Sequence, residues 1–432
     1  MANTQAAQQV QTGPGGGGAA GATPALPDVN AETYPFDFVQ HLLDQTASLS
    51  LFCVPERHHP GELSLTPNDS KDWFGINGGY GLVIRNSLRR FDSFVQTPSA
   101  DDLSVSQAVG ESVGSLRTRW LLCADNCEWA PGTEPPPAIY DPWRPQNFAM
   151  LDAEFSFGQG NRFSGYGKGR TYYISTRGQS KLLGAVVGNL MEGEGKFRGM
   201  EGTFIMTGTI TPELGFLGHM SLRVVDPEGV LRTEREAPAL TAIADPDPTS
   251  TFFVMRGEKK DRSIKTAFGP PPGDGRVSLV TPSQFRAAHF SVTNRGGGGL
   301  RTETQVGPVV SRMDATVYFD LLAPPGTAMK PVPFGTDETY RFVDKRDREV
   351  ATLTAKVEEG ISFNLKFPAA PGQPGVRFAG FGPITGGTGL LEGAQGILTV
   401  NSLIGIAPHA LTLVHVLHIV DPEGHYRASL HT

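Results

Sequence analysis

The chain is poor in the features that define several large protein classes. Its 432 residues include only three cysteines, Cys53, Cys123 and Cys127, which is too few for a disulfide framework or for a zinc site with two ligand pairs. The net charge is −7, and the sequence has no block of basic residues. Both observations argue against nucleic acid as a partner. No run of about 18 apolar residues is present, so the sequence predicts no contact with a membrane through a spanning helix.

The amino terminus also lacks the signals of secretion. No positively charged stretch is followed by an apolar one, so we expect a cytoplasmic protein. Residues 1–29 carry too little apolar surface to offset their chain entropy, and we predict a disordered tail there. No cluster of metal ligands and no nucleotide motif stands out, so the sequence predicts neither a metal nor a cofactor.

What the sequence has instead is glycine, proline and alternation with a period of two. The 53 glycines and 34 prolines exceed ordinary usage and fit many turns between short strands. Residues 203–210 place Phe204, Met206 and Ile210 on one face and threonines on the other, and residues 361–367 alternate in the same way. This pattern predicts an all-β chain whose strands have one apolar and one polar face.

Two short segments depart from this alternation. Residues 36–46 have apolar side chains at helical spacing, and Ser283 is a candidate cap for a helix that begins at Thr281. We predict a short helix at each position.

An internal repeat is the most informative feature of the chain. Four glycines recur with the same spacing in each half, at positions 193, 195, 199 and 202 and at positions 387, 389, 393 and 396. They lack the Gly-Lys-Ser/Thr ending of a phosphate loop, and a strand pattern follows them, so we expect them to bend strands. Each set precedes an Asp-Pro-Glu-Gly segment, at 226–229 and 421–424, with the composition of a type I turn.

The order and spacing of these motifs indicate a duplication. A weaker similarity, between residues 152–157 and 314–319, extends it upstream. Two Asp-Pro steps within residues 239–250 indicate a linker. We therefore predict one domain over 30–238 and a second over 251–432.

The second glycine motif resembles a hairpin of a known superfamily. Residues 386–396 read Gly-Gly-Thr-Gly-Leu-Leu-Glu-Gly-Ala-Gln-Gly, which is similar to the glycine-rich hairpin of the allene oxide cyclases and dirigent proteins. The first copy departs from this pattern at Glu192, although Phe197 keeps the aromatic residue that Leu391 replaces. The resemblance implies two tandem eight-stranded antiparallel β-barrels with central cavities, self-association into a homo-oligomer, and cyclisation or isomerisation of a small apolar molecule of secondary metabolism.

The alternation also predicts which side chains line the barrels. Strand phase points seven apolar side chains inward, and we predict that they bind the substrate: Phe204, Met206, Met220 and Leu222 in the first half, and Leu398, Val400 and Leu417 in the second. Three aromatic residues in or beside long loops, Tyr140, Trp143 and Trp120, are added as ligand contacts at a barrel mouth, with plugging of the barrel ends as the alternative.

One histidine lies on the predicted inner face. His415 stands where the first copy has Met220, and an imidazole on an apolar inner wall is a candidate general acid or base. The alternative is a packed core histidine with satisfied hydrogen bonds. His418 faces the other way, beside the position of Arg223, and is predicted on the surface.

These observations predict an enzyme that confines a small apolar substrate and promotes its cyclisation or isomerisation, with His415 as its catalytic residue. The alternative is a non-catalytic, dirigent-like binding or scaffold protein whose first half is structural. A two-domain cyclase of lipocalin type, with a different strand order, follows the same logic. Open cavities with a few polar groups favour the enzyme, whereas barrels filled by their own side chains favour the scaffold.

Overall fold

The described chain is built from β-strands and one short 3-10 turn, Gly195–Phe197. The computed structural model describes residues 46–56, 62–66, 79–122, 147–176, 178–191, 193–211, 215–226, 228–231, 242, 246–258, 267–268, 277–294, 299–319, 332–370, 373–405 and 411–428. The strands of the first half are β1 (Thr46–Pro55), β2 (Glu62–Thr66), β3 (Gly79–Val95), β4 (Val105–Leu122), β5 (Asn147–Ser156), β6 (Arg162–Thr176), β7 (Gln179–Leu190), β8 (Glu201–Ile210) and β9 (Phe216–Val225). Those of the second half are β10 (Ser250–Glu258), β11 (Ala267–Phe268), β12 (Val277–Asn294), β13 (Leu300–Phe319), β14 (Val332–Val343), β15 (Glu349–Ala370), β16 (Gln373–Gly389), β17 (Gly396–Gly405) and β18 (Leu411–Val420).

The strands of the first half close into an antiparallel barrel. Strands β3 to β9 pair in chain order, and β1 pairs with both β9 and β3. This ring of eight strands has no free edge, and β2 adds to β3 beside β1. The prediction of an eight-stranded antiparallel barrel is therefore confirmed for this half.

The second half repeats the strand order of the first. Strands β12 to β18 pair in chain order, β10 pairs with both β18 and β12, and β11 adds to β12. The predicted duplication thus has a structural counterpart in two sheets with the same connectivity. Both sheets lie within one compact unit, Phe36–Thr432, and the predicted domain boundaries stay predictions. The tail at 1–29 and the helix predicted from residue 36 fall outside the described residues, apart from Thr46, which begins β1.

The helix predicted from Thr281 is wrong. Residues 277–294 form β12, in which Thr281 pairs with Ala315 and Ser283 pairs with Met313. A single capping residue is a weak signal, and pairing with β13 engages the backbone of this segment from Val277 to Asn294, with irregularities around Arg286. In the described segments there is no helix with the length and hydropathy needed to cross a bilayer.

The upstream similarity between residues 152–157 and 314–319 joins strands that are not equivalent. The first segment ends β5, whereas the second lies on β13, the counterpart of β4. Strands with the same alternation resemble one another in sequence, so a short match does not identify the partner. The true counterpart of β5 is β14.

The glycine motif forms the same turn in both halves. It joins β7 to β8 and β16 to β17, with left-handed backbone at Gly195 (φ 66°) and at Gly389 (φ 61°). Side chains other than glycine are strained in this region. The last glycine of each motif lies against the next strand, since a Cβ on Gly202 or Gly396 would lie 2.1 or 1.8 Å from a carbonyl oxygen. The motif is a tight turn leading into a strand.

The two Asp-Pro-Glu-Gly segments are turns, as predicted. The Gly229 N–H donates to the Asp226 carbonyl at 3.1 Å, and Gly424 does the same to Asp421 at 3.1 Å. Each aspartate carboxylate also accepts two backbone N–H groups of the residues after the turn. Backbone donors therefore engage both carboxylates.

Each half contributes one hairpin to the apolar core of the other half, an arrangement we call the hairpin exchange. Val292 and Leu300, at the end of the β12–β13 hairpin, belong to the apolar cluster inside the first barrel. The Asn294 side chain on the same hairpin donates to the carbonyls of Val113 and Phe157. The first half thus completes its core with residues of the second.

The converse contact is made by the β3–β4 hairpin. Val95, Leu103 and Val105 join the apolar cluster on the inner face of the second sheet. The Val105 N–H donates to the carbonyl of Tyr426 at 2.7 Å, which ties the carboxyl-terminal segment to the same hairpin. Each sheet therefore depends on the other for part of its core.

The outer faces of the two sheets also pack on each other. Phe52 of β1, Phe91 of β3 and Phe252 of β10 meet with ring centroids 5.3 to 5.8 Å apart. They belong to a third apolar cluster that combines strands of both halves. Faces that alternation alone assigns to solvent are thus partly buried.

Candidate functional site

Ionisable side chains on the inner face of the second sheet form one hydrogen-bonded cluster. The Tyr340 hydroxyl lies 2.5 Å from Glu338 Oε2 and 2.6 Å from His415 Nδ1. Glu338 Oε1 accepts the Thr336 hydroxyl at 2.8 Å, and Oε2 lies 3.4 Å from His415 Nδ1. Alternate positions of β14 supply three of these side chains on one face, and β18 supplies the histidine. We call these four residues the inner polar cluster.

Burial and mutual contact set the charges of this cluster. Glu338, Tyr340 and His415 are 3%, 0% and 2% exposed. Burial raises the pKa of Glu338, but the nearby His415 and the hydrogen bonds from His415, Tyr340 and Thr336 outweigh it and hold that pKa below its ordinary value. Burial, with the adjacent carboxylate, raises the pKa of Tyr340 well above its ordinary value. The pair is therefore a carboxylate beside a neutral phenol.

The hydrogen bonds of the cluster run in one direction. An ionised carboxylate only accepts, so the Tyr340 O–H donates to Glu338 and the Tyr340 oxygen accepts from Nδ1–H of His415. In a neutral imidazole, Nε2 then carries the lone pair. The arrangement fixes the orientation of the ring and leaves one nitrogen that can take up a proton and return it.

The first barrel has apolar side chains at the equivalent positions. Equivalence follows from the ladder registers, which agree between the halves over the stretches that contain these residues, in β4–β5–β6 and β13–β14–β15 and in β8–β9 and β17–β18, although the irregularities beyond those stretches differ. The counterparts of Glu338, Tyr340 and His415, in that order, are Ala153, Phe155 and Met220. The fold thus forms in one half without the ionisable groups that the other half contains.

Apolar side chains surround the cluster. The Phe285 ring lies 5.6 Å from that of Tyr340 and 4.7 Å from that of His415, measured between centroids. Phe334 and Leu413 lie toward the end of the sheet at which β12, β14 and β18 begin, and both retain a little exposed surface. The cluster is a polar group within an apolar wall.

The inward direction predicted for seven apolar side chains is observed. They belong to the two inner apolar clusters: Phe204, Met206, Met220 and Leu222 in the first barrel, and Leu398, Val400 and Leu417 in the second sheet. Trp120 also lies inside the first barrel, stacked on Phe148 at 4.6 Å, and its Nε1 donates to Thr118. Tyr140 and Trp143 lie outside the described residues. Contact of any of these residues with a substrate stays a prediction.

The surface position predicted for His418 is wrong. The ring is fully buried between the sheets, with Nδ1 2.9 Å from the Thr207 hydroxyl and Nε2 2.9 Å from the Ser250 hydroxyl. Burial, with the positive charge of Lys181 nearby, lowers the pKa of His418 to about 3. The strand phase was right, but the outer face here meets the other sheet instead of water.

Further polar contacts join the outer faces. Arg377 of the second half donates to the Thr203 hydroxyl and to the Arg223 carbonyl at 3.1 and 2.7 Å. Arg223 in turn donates to the Asn401 carbonyl at 3.0 Å. These side chains hold one sheet to the other, which gives them a structural role.

A cleft of about 950 Å³ opens where the β3–β4 hairpin meets the second sheet. Its lining is polar and carries charges of both signs, including Asp102, Asp344, Arg346 and Arg427. Asp344 is paired with Arg348 at 2.6 Å. The cleft does not have the apolar walls that the sequence predicts for a substrate cavity.

No group of three or more histidine, cysteine, aspartate or glutamate side chains is placed to hold a metal ion in the part of the chain that the structure describes. Cys53 is buried in the first barrel, and burial raises the pKa of its thiol, which makes it a poor nucleophile. Cys123 and Cys127 fall outside the described residues.

Sequence reasoning identified His415 but missed Glu338 and Tyr340. The signal that could have found them is the alignment of β14 with β5, in which Glu338 and Tyr340 align with Ala153 and Phe155. The mistaken match of residues 152–157 to 314–319 concealed it.

Comparison of the chain with protein family models, with curated proteins and with solved structures finds no match.

Proposed function

We propose that the second sheet is a closed barrel of the allene oxide cyclase and dirigent type that binds a small, largely apolar molecule and catalyses its isomerisation or cyclisation. The observation that carries the proposal is the inner polar cluster, whose counterparts in the first barrel are apolar. A buried ionisable cluster costs stability relative to apolar side chains of similar size. Since the first barrel forms without such a cluster, the fold does not require it, and a chemical role accounts for it.

The proposed reaction moves one proton within the ligand. With its Nδ1–H donated to the Tyr340 oxygen, His415 uses Nε2 to take a proton from one atom of the bound molecule and return it to another. Tyr340 and Glu338 hold the ring in place, and the carboxylate stabilises the transient imidazolium. The elemental composition of the ligand is unchanged, so no oxidant, reductant or second substrate is needed. Apolar neighbours such as Phe285 would confine the ligand in a reactive conformer.

The packing of the first barrel supports a structural role for that half. Trp120 and Phe148 stack inside it, and Phe155 meets Phe204 at 5.2 Å. Side chains that fill one another's space leave little room for a ligand. If the second sheet is filled to the same degree, the alternative function, a non-catalytic dirigent-like binding or scaffold protein, applies to the whole chain.

The test uses the conserved mass of the product. The protein is incubated with the apolar small-molecule extract of the cells that produce it, and chromatography with mass spectrometry follows pairs of peaks of equal mass. We expect one peak to grow at the expense of another with the wild-type protein and with Phe155→Leu, a change in the first barrel at the position that corresponds to Tyr340.

We expect no conversion with the triple variant Glu338→Ala/Tyr340→Phe/His415→Met, which gives the second sheet the side chains of the first barrel. Conversion that survives in the triple variant would remove the catalytic assignment. Absence of conversion with the wild type, together with no co-purifying molecule in native mass spectra, would favour the scaffold.

A further inference from the structure

One hydroxyl on the inner face of the second sheet, that of Ser283, has no hydrogen-bond partner among the residues that the structure describes. Ser283 of β12 pairs with Met313 of β13, which pairs with Tyr340 of β14, so the three side chains form one row on the same face. Ser283 is 8% exposed, and its Oγ makes no hydrogen bond to any described residue. A buried hydroxyl without a partner is costly, and such groups in proteins normally bind something.

The first barrel shows how the fold satisfies this position by itself. The counterpart of Ser283 is Asn86, because β3–β4 and β12–β13 share the same register and the same irregularity. The Asn86 side-chain amide donates to the carbonyl of Phe216 on β9 at 2.6 Å. The shorter serine makes no equivalent bond. The second sheet thus presents a free hydroxyl where the first barrel has a closed contact.

Ser283 lies close to the inner polar cluster. Two strand spacings, about 10 Å, separate its backbone from that of Tyr340. Phe285 is two residues further along the same face of β12, and its ring contacts both Tyr340 and His415. A molecule in contact with His415 and Phe285 is therefore within reach of the Ser283 hydroxyl.

We infer that Ser283 binds an oxygen atom of the ligand, so that the ligand is an apolar molecule with a hydroxyl, carbonyl or ether function and not a pure hydrocarbon. This inference rests on the proposed function. It makes Ser283 a specificity-determining residue: the hydroxyl selects among apolar molecules by one hydrogen bond and fixes which end of the ligand faces His415.

Two fluorescent probes of nearly equal size test the inference, naphthalene and 2-naphthol, which differ by one oxygen. We expect the wild-type protein to bind 2-naphthol about two- to tenfold more tightly than naphthalene, the range that one net hydrogen bond gives. In Ser283→Ala the ratio of the two dissociation constants falls to about one, while the affinity for naphthalene is unchanged.

Thermal unfolding provides an independent measurement. Ser283→Ala removes a hydroxyl without a partner and should leave the melting temperature unchanged or raise it, whereas Asn86→Ala breaks a bond and should lower it. A loss in Ser283→Ala as large as that in Asn86→Ala would overturn the inference, since Ser283 would then have a partner within the protein.

The binding outcomes separate the two proposals. If wild-type protein binds both probes equally, or if Ser283→Ala keeps the preference for 2-naphthol, the inference about Ser283 is overturned and the proposed function stands. If wild-type protein binds neither probe, both fail together.

Discussion

The first barrel and the second sheet have the same strands in the same order, but the chemistry of their inner faces differs. The first is lined by aromatic and aliphatic side chains that pack on one another, as Phe155 does on Phe204. The second has a carboxylate, a phenol and an imidazole in hydrogen-bond contact at the corresponding layer. Because one chain contains both, the first half serves as an internal control for what the fold itself needs.

The comparison shows how a role can be assigned to a buried polar side chain: where the equivalent position in the other half is apolar, the fold does not need the polar group. Ala153 and Met220 show that neither Glu338 nor His415 is needed to pair these strands. The outer faces lead to the opposite conclusion. There, His418 and Arg223 occupy equivalent positions and both bond across to the other half, so polarity on that side is part of the assembly.

The largest effect on folding is expected when the two halves of the chain are produced as separate proteins. Residues 1–238 and 239–432 expressed as individual chains should each fail to fold, because Val292 and Leu300 complete the core of the first half and Val105 contributes to that of the second. Loss of these contacts exposes apolar surface at the end of each sheet. Circular dichroism and size-exclusion chromatography measure the outcome.

Co-expression of the two halves is the control and should restore a folded complex. A single half that is monomeric and unfolds cooperatively would show that the hairpin exchange is dispensable.

The next effect comes from making the second sheet resemble the first. His415→Met alone removes the Nδ1–H donor from the Tyr340 oxygen and the imidazole beside the Glu338 carboxylate, and it should cost about 1–3 kcal/mol in the free energy of unfolding. The triple variant Glu338→Ala/Tyr340→Phe/His415→Met removes the three ionisable members of the cluster, leaves only Thr336, and should recover most of that loss. Urea unfolding curves measure both.

Met220→Leu is the matched control in the first barrel and should change stability by less than about 1.5 kcal/mol. A triple variant as unstable as His415→Met would mean that the cluster stabilises the second sheet, and the comparison would lose its force.

A smaller effect is expected in the dependence of stability on pH. It arises from His219, a histidine of the first half whose equivalent position in the second half has no histidine. Burial lowers the pKa of His219 to about 3, and its Nε2 lies 2.7 Å from the Ser50 hydroxyl. The counterpart is Val414. Since the folded-state pKa lies below the unfolded value of about 6.5, the unfolded chain binds the extra proton. Stability is therefore full above pH 6.5 and falls as the pH drops toward 3, by about 1.4 kcal/mol per pH unit for each such imidazole.

His418 has its pKa lowered in the same way and adds a second imidazole to this slope. His219→Val, which introduces the residue of the second half, should therefore reduce the loss of stability between pH 6.5 and pH 5 by about half. Urea unfolding at several pH values gives the slope directly. Equal slopes for variant and wild type would show that His219 is protonated in the folded protein or is not buried.

Strand alternation was enough to predict the inner faces. Phe204, Met206, Leu398 and Leu417 point inward because apolar side chains at every second position have one dry side to occupy. The glycine motif could be aligned between the halves because a left-handed turn and a close backbone approach restrict those positions to one residue type. Physical requirements of this kind leave a mark in a single sequence.

Other features leave a weaker mark or none. The outer face of β8 is mostly threonine, a composition that fits water as well as another polar face, so the burial of Thr207 could not be deduced. The outer face of β18 is different, because Val414, Val416 and Val420 flank His418 there, and these valines were a sign of burial that the surface prediction for His418 did not use.

Glu338 lies in a short stretch of β14, residues 336–339, whose inner and outer positions are all polar, which hides the phase there although Phe334 and Phe342 lie further along the inner face. Only the register of β14 against its neighbours shows which side chains face inward.

The hairpin exchange has a consequence for the order of events during synthesis. The first half emerges from the ribosome before residues 292–300 have been made, so the nascent barrel lacks part of its core. At that stage the second sheet, on which Val95, Leu103 and Val105 pack, has not been made either. The nascent first half therefore exposes apolar surface until the β12–β13 hairpin emerges. We expect the two halves to complete their cores together, late in synthesis.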